Sequence, residues 1–250
     1  MEMIKPLFLI PDYNHPDTIK KVVSDCLPFG HDILIVNDGS DENTSEKILE
    51  ASKLDRRIRV LELPENSGKG GAVIAGFQWA IDKGYTHAFQ LDADGQQDPS
   101  AIPGFLSIMR ENPDALVCGY PLYDDSVPAS RKWGRKITDF WIAVNTLSLS
   151  FRDALCGFRI YPLKAVEKWL ALKPTVGKRM DFDADVIVQL YWLGVEPINL
   201  PVRVTYPIDG VSHFKPIENL YLSKMHARNF FGMLVRLPRL LARHFNAKKD

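Results

Sequence analysis

The chain has 250 residues, of which 46% are hydrophobic and 25% charged, enough for a substantial core in one large α/β domain or two small ones. Lysine and arginine total 31, as do aspartate and glutamate, so no net positive field favours a nucleic-acid partner. No stretch of about 18 apolar residues is present to span a membrane, and residues 1–11 are too short and too acidic at Glu2 for a signal peptide. We therefore expect a cytoplasmic protein, unless it lies on a membrane surface.

Apolar runs alternate with helical patterns along the first half of the chain. The runs predict strands at residues 7–11, 32–37, 59–62, 87–91 and 115–118. Between them, helices are predicted at residues 18–27, 44–52, 70–83 and 99–111. This alternation indicates a mostly parallel sheet covered by helices on both faces. In such sheets, ligands bind beyond the carboxyl ends of the strands.

The second half is less regular. Helices are predicted at residues 131–150, 184–193 and 217–244, the last with a kink at Pro238, and strands at 156–161 and 198–205. The last helix mixes basic and apolar residues, a composition that suits an anionic membrane surface. Docking on the rest of the chain or on a dimer partner is the equal alternative.

The three cysteines, Cys26, Cys118 and Cys156, are dispersed along the chain. Their number is odd and their spacing matches no metal-ligand set. We expect free thiols, buried or partly buried, in a reducing compartment.

Asp92 and Asp94 follow a predicted strand, with Gln96 on the same turn. Two carboxylates on a turn suit Mg²⁺ or Mn²⁺, because these ions prefer oxygen ligands and leave positions open for substrate phosphates. An acidic surface turn is the alternative. The position at a strand end, beside other polar clusters, favours the metal site.

Two more polar clusters follow strands, at residues 11–14 and 38–40, so all three should converge on one edge of the sheet. Asp38 is suited to accept hydrogen bonds from a base or ribose, although a simple turn would look the same. The loop at residues 66–71 places glycines and Lys69 before a helix, a pattern typical of anion binding. It lacks the P-loop spacing, and a plain helix-entry loop is equally consistent with it.

The second half carries two further candidate groups. Arg131 and Arg135 are four apart and share a helix face, where they could clamp a phosphate or simply be solvated. Asp181, Asp183 and Asp185 alternate, so they would share one face if the segment were extended. Asp183 is equally suited to be the N-cap of the helix that follows.

Taken in order, these motifs resemble the family 2 inverting glycosyltransferases, especially the dolichyl-phosphate-mannose-synthase-like branch. The matching segments are residues 11–14, 36–40, 66–70, 92–96, 157–159 and 182–185. The resemblance implies the A-type glycosyltransferase fold, a single Rossmann-like α/β domain with a mostly parallel central sheet flanked by helices. We assign residues 1–216 to this catalytic domain and residues 217–250 to a basic amphipathic helical tail.

The resemblance also implies roles for individual residues. The nucleotide-sugar would contact Pro11, Tyr13, Asn14, Asp38, Gly39, Ser40, Lys69, Asp92 and Ala93. Asp92, Asp94 and Gln96 would hold Mg²⁺ or Mn²⁺, and the acceptor would contact Arg131, Arg135, Gly157, Phe158 and Arg159. The chain departs from the family pattern at Glu42, where Asp is usual, at Cys156, where Ser is usual, and at Asp185, where Glu is usual.

The resulting prediction is metal-dependent, inverting transfer of a sugar from a UDP- or GDP-sugar to a lipid or lipid-phosphate at the cytoplasmic face of a membrane. Asp94, Asp183 and Asp185 are the candidate catalytic residues, and a hydroxyl acceptor would need Asp183 or Asp185 as its base.

Three other classes fit less well. A sugar-phosphate nucleotidyltransferase needs a glycine-rich loop after the first strand, where residues 11–15 have none. A haloacid-dehalogenase-type phosphatase places its Asp-x-Asp after the first strand, not the fourth. A non-catalytic nucleotide-sugar-binding module is disfavoured because both aspartates are present. The sugar, the base, the acceptor and the oligomeric state stay open.

Overall fold

The computed structural model describes residues 3–123, 129–205 and 216–246 of the chain. Within these ranges the strands are β1 (Pro6–Asp12), β2 (Asp32–Asn37), β3 (Ile58–Glu62), β4 (His87–Gln90), β5 (Leu116–Tyr123), β6 (Arg159–Pro162) and β7 (Pro197–Val204). The helices are α1 (Ile19–Cys26), α2 (Glu42–Ser52), α3 (Lys69–Asp82), α4 (Ile102–Glu111), α5 (Ala129–Thr146), α6 (Leu163–Ala171), α7 (Phe182–Trp192) and α8 (Pro216–Asn246).

The strands form one sheet in the order β3-β2-β1-β4-β6-β5-β7. Parallel pairing joins β1 to β2 and to β4, β2 to β3, and β5 to β7. Strand β6 runs antiparallel to both of its neighbours, β4 and β5. The predicted mostly parallel sheet flanked by helices is therefore confirmed.

Two hydrophobic cores lie on opposite faces of the sheet. Because successive strand residues point to opposite faces, Leu7 and Leu9 of β1 join a core with α3, α5, α6, α7 and α8. Phe8 and Ile10 join the other core, with α1, α2 and α4. The three cysteines are buried and free, as predicted.

The start of α7 corrects one sequence-based alternative. Residues 181–185 are not an extended segment with three carboxylates on one face, because the helix begins at Phe182. Asp181 is its N-cap residue, so Asp183 is not. All eleven residues of α7 are buried, which anchors this helix deep in the molecule.

Helix α6 is absent from the sequence-based predictions. The chain passes from β6 at Pro162 straight into the helix at Leu163, so no loop signal separates the two elements. The antiparallel direction of β6 was also not predicted, since strand periodicity carries no information on direction.

The predicted C-terminal amphipathic helix is confirmed as α8, with Pro238 inside it. It packs against α5 and α7. The Asp185 carboxylate of α7 accepts hydrogen bonds from Arg228 and Asn229 of α8. The helix is therefore docked on the α/β unit in the described part of the chain.

Candidate active site

Three polar loops meet where β1, β2 and β4 end. These strands are parallel neighbours, so their carboxyl ends lie at one edge of the sheet. The Asp38 amide donates to the Asp12 carbonyl over 2.9 Å, and the Asn14 amide donates to Ser40 Oγ over 3.2 Å. The Asp41 amide donates to Asn14 Oδ1 over 2.9 Å. These bonds hold the first two loops together, as the sequence predicts.

The residues assigned to the nucleotide differ in accessibility. Tyr13 presents an exposed side chain, whereas Pro11 and Asp38 are buried. Asp38 Oδ1 accepts hydrogen bonds from both the amide and the hydroxyl of Ser67, at 2.8 and 2.7 Å. Asp38 thus ties the loop after β2 to the loop before α3, and Tyr13 offers the accessible surface.

Gly39 is required by the packing of these loops. Its φ is +66°, a left-handed conformation that favours glycine. An added Cβ would lie 2.6 Å from the Asn66 amide nitrogen. The backbone of the loop before α3 therefore sits directly against Gly39.

Gly70 and Gly71, in the first turn of α3, serve close packing. The Gly70 and Gly71 amides donate to the Lys178 carbonyl, at 2.9 and 3.3 Å. A Cβ on Gly70 would lie 2.6 Å from Phe182 Cβ, so glycine lets α3 approach the start of α7. These two amides are therefore paired within the protein, and anion binding by the loop stays a prediction. The charge of Lys69 remains as its anion-binding feature.

Lys69 bridges two carboxylates at the site. Its Nζ lies 2.6 Å from Asp92 Oδ1 and 2.6 Å from Asp183 Oδ2. Burial alone would lower the pKa of Lys69, but the charges and hydrogen bonds of Asp183 and Asp92 raise it well above its ordinary value. Lys69 is therefore a fixed positive charge between the loop after β4 and the first turn of α7.

Gln97 is a site residue that the sequence analysis missed. Its Nε2 donates to Asp92 Oδ2 over 2.8 Å, and its Oε1 accepts from the Asp92 amide over 3.1 Å. Asp92 is thus oriented from both sides, by Gln97 and by Lys69. The only signal in the sequence was the position of Gln97 next to the predicted ligand Gln96.

The Asp94 carboxylate has fewer bonding partners than that of Asp92. Its Oδ1 accepts one hydrogen bond, from the Gln96 amide over 3.0 Å. Burial, together with the nearby charge of Asp92, raises the pKa of Asp94 to about 6. A cation here would relieve the repulsion between the two carboxylates.

The oxygen atoms of Asp92 and Asp94 fit a divalent cation that also binds oxygen atoms of the substrate. Asp92 and Asp94 supply carboxylate oxygens, the ligands that Mg²⁺ and Mn²⁺ prefer. Among the described residues, no group of three or more His, Cys, Asp or Glu side chains is arranged to hold a metal. Phosphate oxygens and water would therefore complete the shell, with the Gln96 side chain as the third protein ligand predicted from sequence.

The segment before β6 contributes one close contact to the site. A Cβ on Gly157 would lie 2.5 Å from Asp92 Oδ1 and 2.7 Å from Lys69 Nζ. Gly157 therefore packs directly on the Lys69–Asp92 ion pair.

The next two side chains do not line an acceptor site, which corrects their assignment. Phe158 is buried against Phe89 and Phe105, and Arg159 is buried and donates to the carbonyls of Ala154 and Asp183. Phe158 directly precedes β6 and Arg159 is its first residue, and both side chains are buried.

Of the two arginines assigned to the acceptor, only the Arg135 side chain is among the described residues. Arg135 Nη1 forms an ion pair with Asp153 Oδ2 at 2.7 Å. Asp153 Oδ1 also accepts from the Cys156 amide, so this pair links α5 to the segment before β6. The Arg131 side chain lies outside the described residues.

A family model described as Glycosyl transferase family 2 matches residues 8–170. The chain belongs to glycosyl transferase family 2. The family recognised from the sequence motifs is therefore confirmed, and the protein is a glycosyltransferase.

This glycosyltransferase has several similar proteins. An undecaprenyl-phosphate mannosyltransferase of Micrococcus luteus is 26% identical over 208 residues, which cover 80% of this chain and 83% of that protein. A polyprenol monophosphomannose synthase of Mycolicibacterium smegmatis is 27% identical over 217 residues, covering 83% and 80% respectively. The crystal structure of S. aureus TarS 1-349 in complex with UDP-GlcNAc has a TM-score of 0.62 at 14% identity, covering 97% of this chain and 73% of that one. This likeness confirms the A-type fold.

The two candidate bases of the glycosyltransferase, Asp183 and Asp185, lie in different environments. Asp183 is at the site, paired with Lys69, and its Oδ1 accepts from Gln90 Nε2 over 3.1 Å. Burial would raise the pKa of Asp183, but the charges of Lys69 and Arg159 lower it below its ordinary value. Its catalytic role stays a prediction.

Asp185 is directed away from Lys69 and toward α8. Its carboxylate is fully buried and accepts from the Gly177 amide at 2.7 Å and from Gln189 and Asn229 at 2.9 Å, besides Arg228. All four of these neighbouring groups are hydrogen-bond donors. The assignment of Asp185 as a general base is therefore corrected to an anchor for α8.

Proposed function

We propose that this glycosyltransferase transfers a sugar from a nucleotide-sugar to a lipid-phosphate acceptor, with inversion and with Mg²⁺ or Mn²⁺. The lipid-phosphate acceptor is inferred from the contacts of the two candidate bases. Asp183 is held in an ion pair with Lys69, and Asp185 is surrounded by four donors. Neither is arranged to take a proton from a hydroxyl, whereas a phosphate is already anionic and needs no base.

The relatives' names support the same class. They are an undecaprenyl-phosphate mannosyltransferase and a polyprenol monophosphomannose synthase. Their names join a sugar transfer to an isoprenoid phosphate. We extend that acceptor chemistry, though not the sugar, to this chain.

The chemistry at the donor follows from charge. As the bond between the sugar and the diphosphate breaks, negative charge grows on the leaving group. An ion held by Asp92 and Asp94 would neutralise part of that charge. Lys69 adds a positive charge from the adjacent helix, and Gln97 keeps the Asp92 carboxylate in one orientation. The acceptor attacks the opposite face of the anomeric carbon, which inverts its configuration.

The face formed by α5 and α8 suits contact with a membrane. Exposed apolar side chains lie on both helices, with Ile137 at 60%, Phe140 at 61%, Phe231 at 68% and Val235 at 81% exposure. Exposed Arg236 and Arg239 accompany them on α8. In the parts of the chain that the structure describes, no helix is both long and apolar enough to cross a bilayer. We propose peripheral attachment at the cytoplasmic face, through apolar insertion and attraction to anionic lipid.

The donor is tested by calorimetric titration of UDP- and GDP-sugars with Mn²⁺ or Mg²⁺. We expect one nucleotide-sugar to bind in a metal-dependent manner to the wild type and at least tenfold more weakly to Asp94→Asn. Equal binding with and without metal would contradict the metal-dependent proposal.

The acceptor is tested by transfer to a polyprenyl phosphate and to the matching polyprenol. We expect product from the phosphate alone. Transfer to the free alcohol at a comparable rate would contradict a mechanism without a base and would return Asp183 to that role.

Membrane contact is tested by co-sedimentation with vesicles that contain anionic lipid. Phe231→Ser and Val235→Ser change exposed side chains and leave the buried face of α8 intact, so we expect both to weaken binding. Leu49→Ser on α2 is the matched control, because that residue is 55% exposed on the opposite side of the sheet. Equal loss in all three variants, or none, would contradict the proposal.

A further inference from the structure

Lys69 occupies the position of a counter-cation within the carboxylate site. We propose that a divalent ion and Lys69 compete for Asp92, and that metal binding shifts Lys69 onto Asp183, which acts as a positioning residue for the lysine. This inference rests on the metal-dependent function proposed above. It adds a role for Asp183 other than that of a base.

Both oxygens of Asp92 are already in use. Oδ1 lies 2.6 Å from Lys69 Nζ, and Oδ2 accepts from Gln97 Nε2 over 2.8 Å. A metal that binds Asp92 must therefore approach a carboxylate that already carries Lys69 on Oδ1 and the Gln97 amide on Oδ2. An ammonium and a dication on the same carboxylate repel each other strongly in a partly buried site. Lys69 must then weaken its contact with Asp92.

Asp183 is the partner that remains for Lys69. It lies at the same 2.6 Å distance from Nζ as Asp92, and its side chain is only 2% exposed. Gln90 holds its second oxygen, so the carboxylate is fixed in place. A charged lysine in this environment needs a carboxylate partner. Asp183 supplies one without moving.

The backbone around Lys69 leaves it little freedom to leave the site. Lys69 is the first residue of α3, and the next two amides are bonded to the Lys178 carbonyl. On another side, Gly157 approaches closely enough that a Cβ would lie 2.7 Å from Nζ. Lys69 therefore changes its partner rather than its location. Its charge stays beside the position where a metal-bound diphosphate would sit.

If Lys69 changes its partner in this way, replacing Lys69 and replacing Asp183 should change metal binding in opposite directions. Lys69→Met removes the competitor while keeping the length of the side chain, so Mn²⁺ binding without nucleotide should tighten by about tenfold. Asp183→Asn leaves Asp92 as the only carboxylate for Lys69, so Mn²⁺ binding should weaken by about tenfold.

A double-mutant cycle separates this mechanism from a simple sum of charges. If Asp183 acts through Lys69, Asp183→Asn should weaken Mn²⁺ binding much less, by about twofold or under, in the Lys69→Met background. If Asp183 acts only by its own negative charge, the loss should be the same in both backgrounds. In Lys69→Met, the buried Asp183 carboxylate loses its lysine partner. The double variant replaces that carboxylate as well, so one member of the cycle keeps a site without this unpaired charge.

The measurement is electron paramagnetic resonance of free Mn²⁺, titrated with the full chain in the absence of nucleotide and acceptor. Thermal unfolding of each variant checks that it is folded at the temperature used. Opposite single effects with strong coupling support the inference. Equal effects of Asp183→Asn in both backgrounds overturn it while leaving metal dependence intact. Failure of the wild type to bind Mn²⁺ without nucleotide overturns this inference alone. If binding is also absent when UDP or GDP is added, the metal dependence proposed above is overturned as well.

Discussion

Replacing Asp185 tests whether this carboxylate holds α8 in place. It is fully buried on α7 and accepts from Arg228 and Asn229 of α8, and from the Gly177 amide and Gln189 on its own side. Asp185→Asn keeps the volume of the side chain but removes the charge. It also turns an amide NH₂ toward neighbours that are all donors, so at least one buried bond is lost.

The size of the loss follows from these contacts. Removing one partner of a buried ion pair costs about 3–5 kcal/mol, and a buried hydrogen bond to a charged group contributes about 1.5–3 kcal/mol. The Arg228 side chain keeps 36% of its surface exposed, so water recovers part of its solvation and reduces the cost. We expect Asp185→Asn to lower the free energy of unfolding by about 2–4 kcal/mol.

Urea unfolding followed by circular dichroism measures this loss. Glu196→Gln is the matched control, because Glu196 also pairs with α8, through Arg243, but is 62% exposed. That exposed pair should contribute at most about 1 kcal/mol. A loss from Asp185→Asn no larger than that of the control would refute the reasoning. So would a stably folded variant that has lost catalysis, since that result would restore Asp185 to the chemistry.

Three other predictions follow from the structure. Gly157→Ala should lower kcat/KM by at least tenfold, because its Cβ would lie 2.5 Å from Asp92 Oδ1. The control is Gly134→Ala on α5, whose Cβ would meet no atom within 4 Å. That change should stabilise the helix by about 0.5–1 kcal/mol. Gln97→Ala should weaken Mn²⁺ binding by about 10–100-fold, as expected for loss of a residue that orients a metal ligand, with little change in thermal unfolding. His226 of α8 is buried against Trp141 of α5, and it should make the wild type lose about 2 kcal/mol of stability relative to His226→Leu as the pH falls from 6.5 to 4.

The sign of the pH effect follows from the His226 pKa. Burial lowers it from 6.5 to about 4 in the folded state. The unfolded chain therefore takes up a proton first as the pH falls, and stability is lost between these two values. Parallel pH profiles for the wild type and His226→Leu would contradict this. For the other two predictions, an unchanged kcat/KM in Gly157→Ala and unchanged Mn²⁺ binding in Gln97→Ala are the contradicting results.

The sequence by itself predicted the strands of the sheet and the convergence of the polar loops that follow β1, β2 and β4. Strand periodicity placed β1, β2 and β4, and the rule that ligands lie at the carboxyl ends of parallel strands then brought Asp38 and Asp92 to one edge. These inferences succeed because they depend on short segments. A strand that is buried on both faces is apolar throughout, and the polar residues that follow it mark its end.

Tertiary structure alone decided which partners those residues have. The pairing of Lys69 with Asp183 joins the start of α3 to the first turn of α7, and no local pattern encodes a contact between elements so far apart in the chain. The same is true of Asp185, which resembled Asp183 in the sequence but faces α8. Helical geometry turns residues two apart in different directions, so Asp183 faces Lys69 whereas Asp185 faces α8.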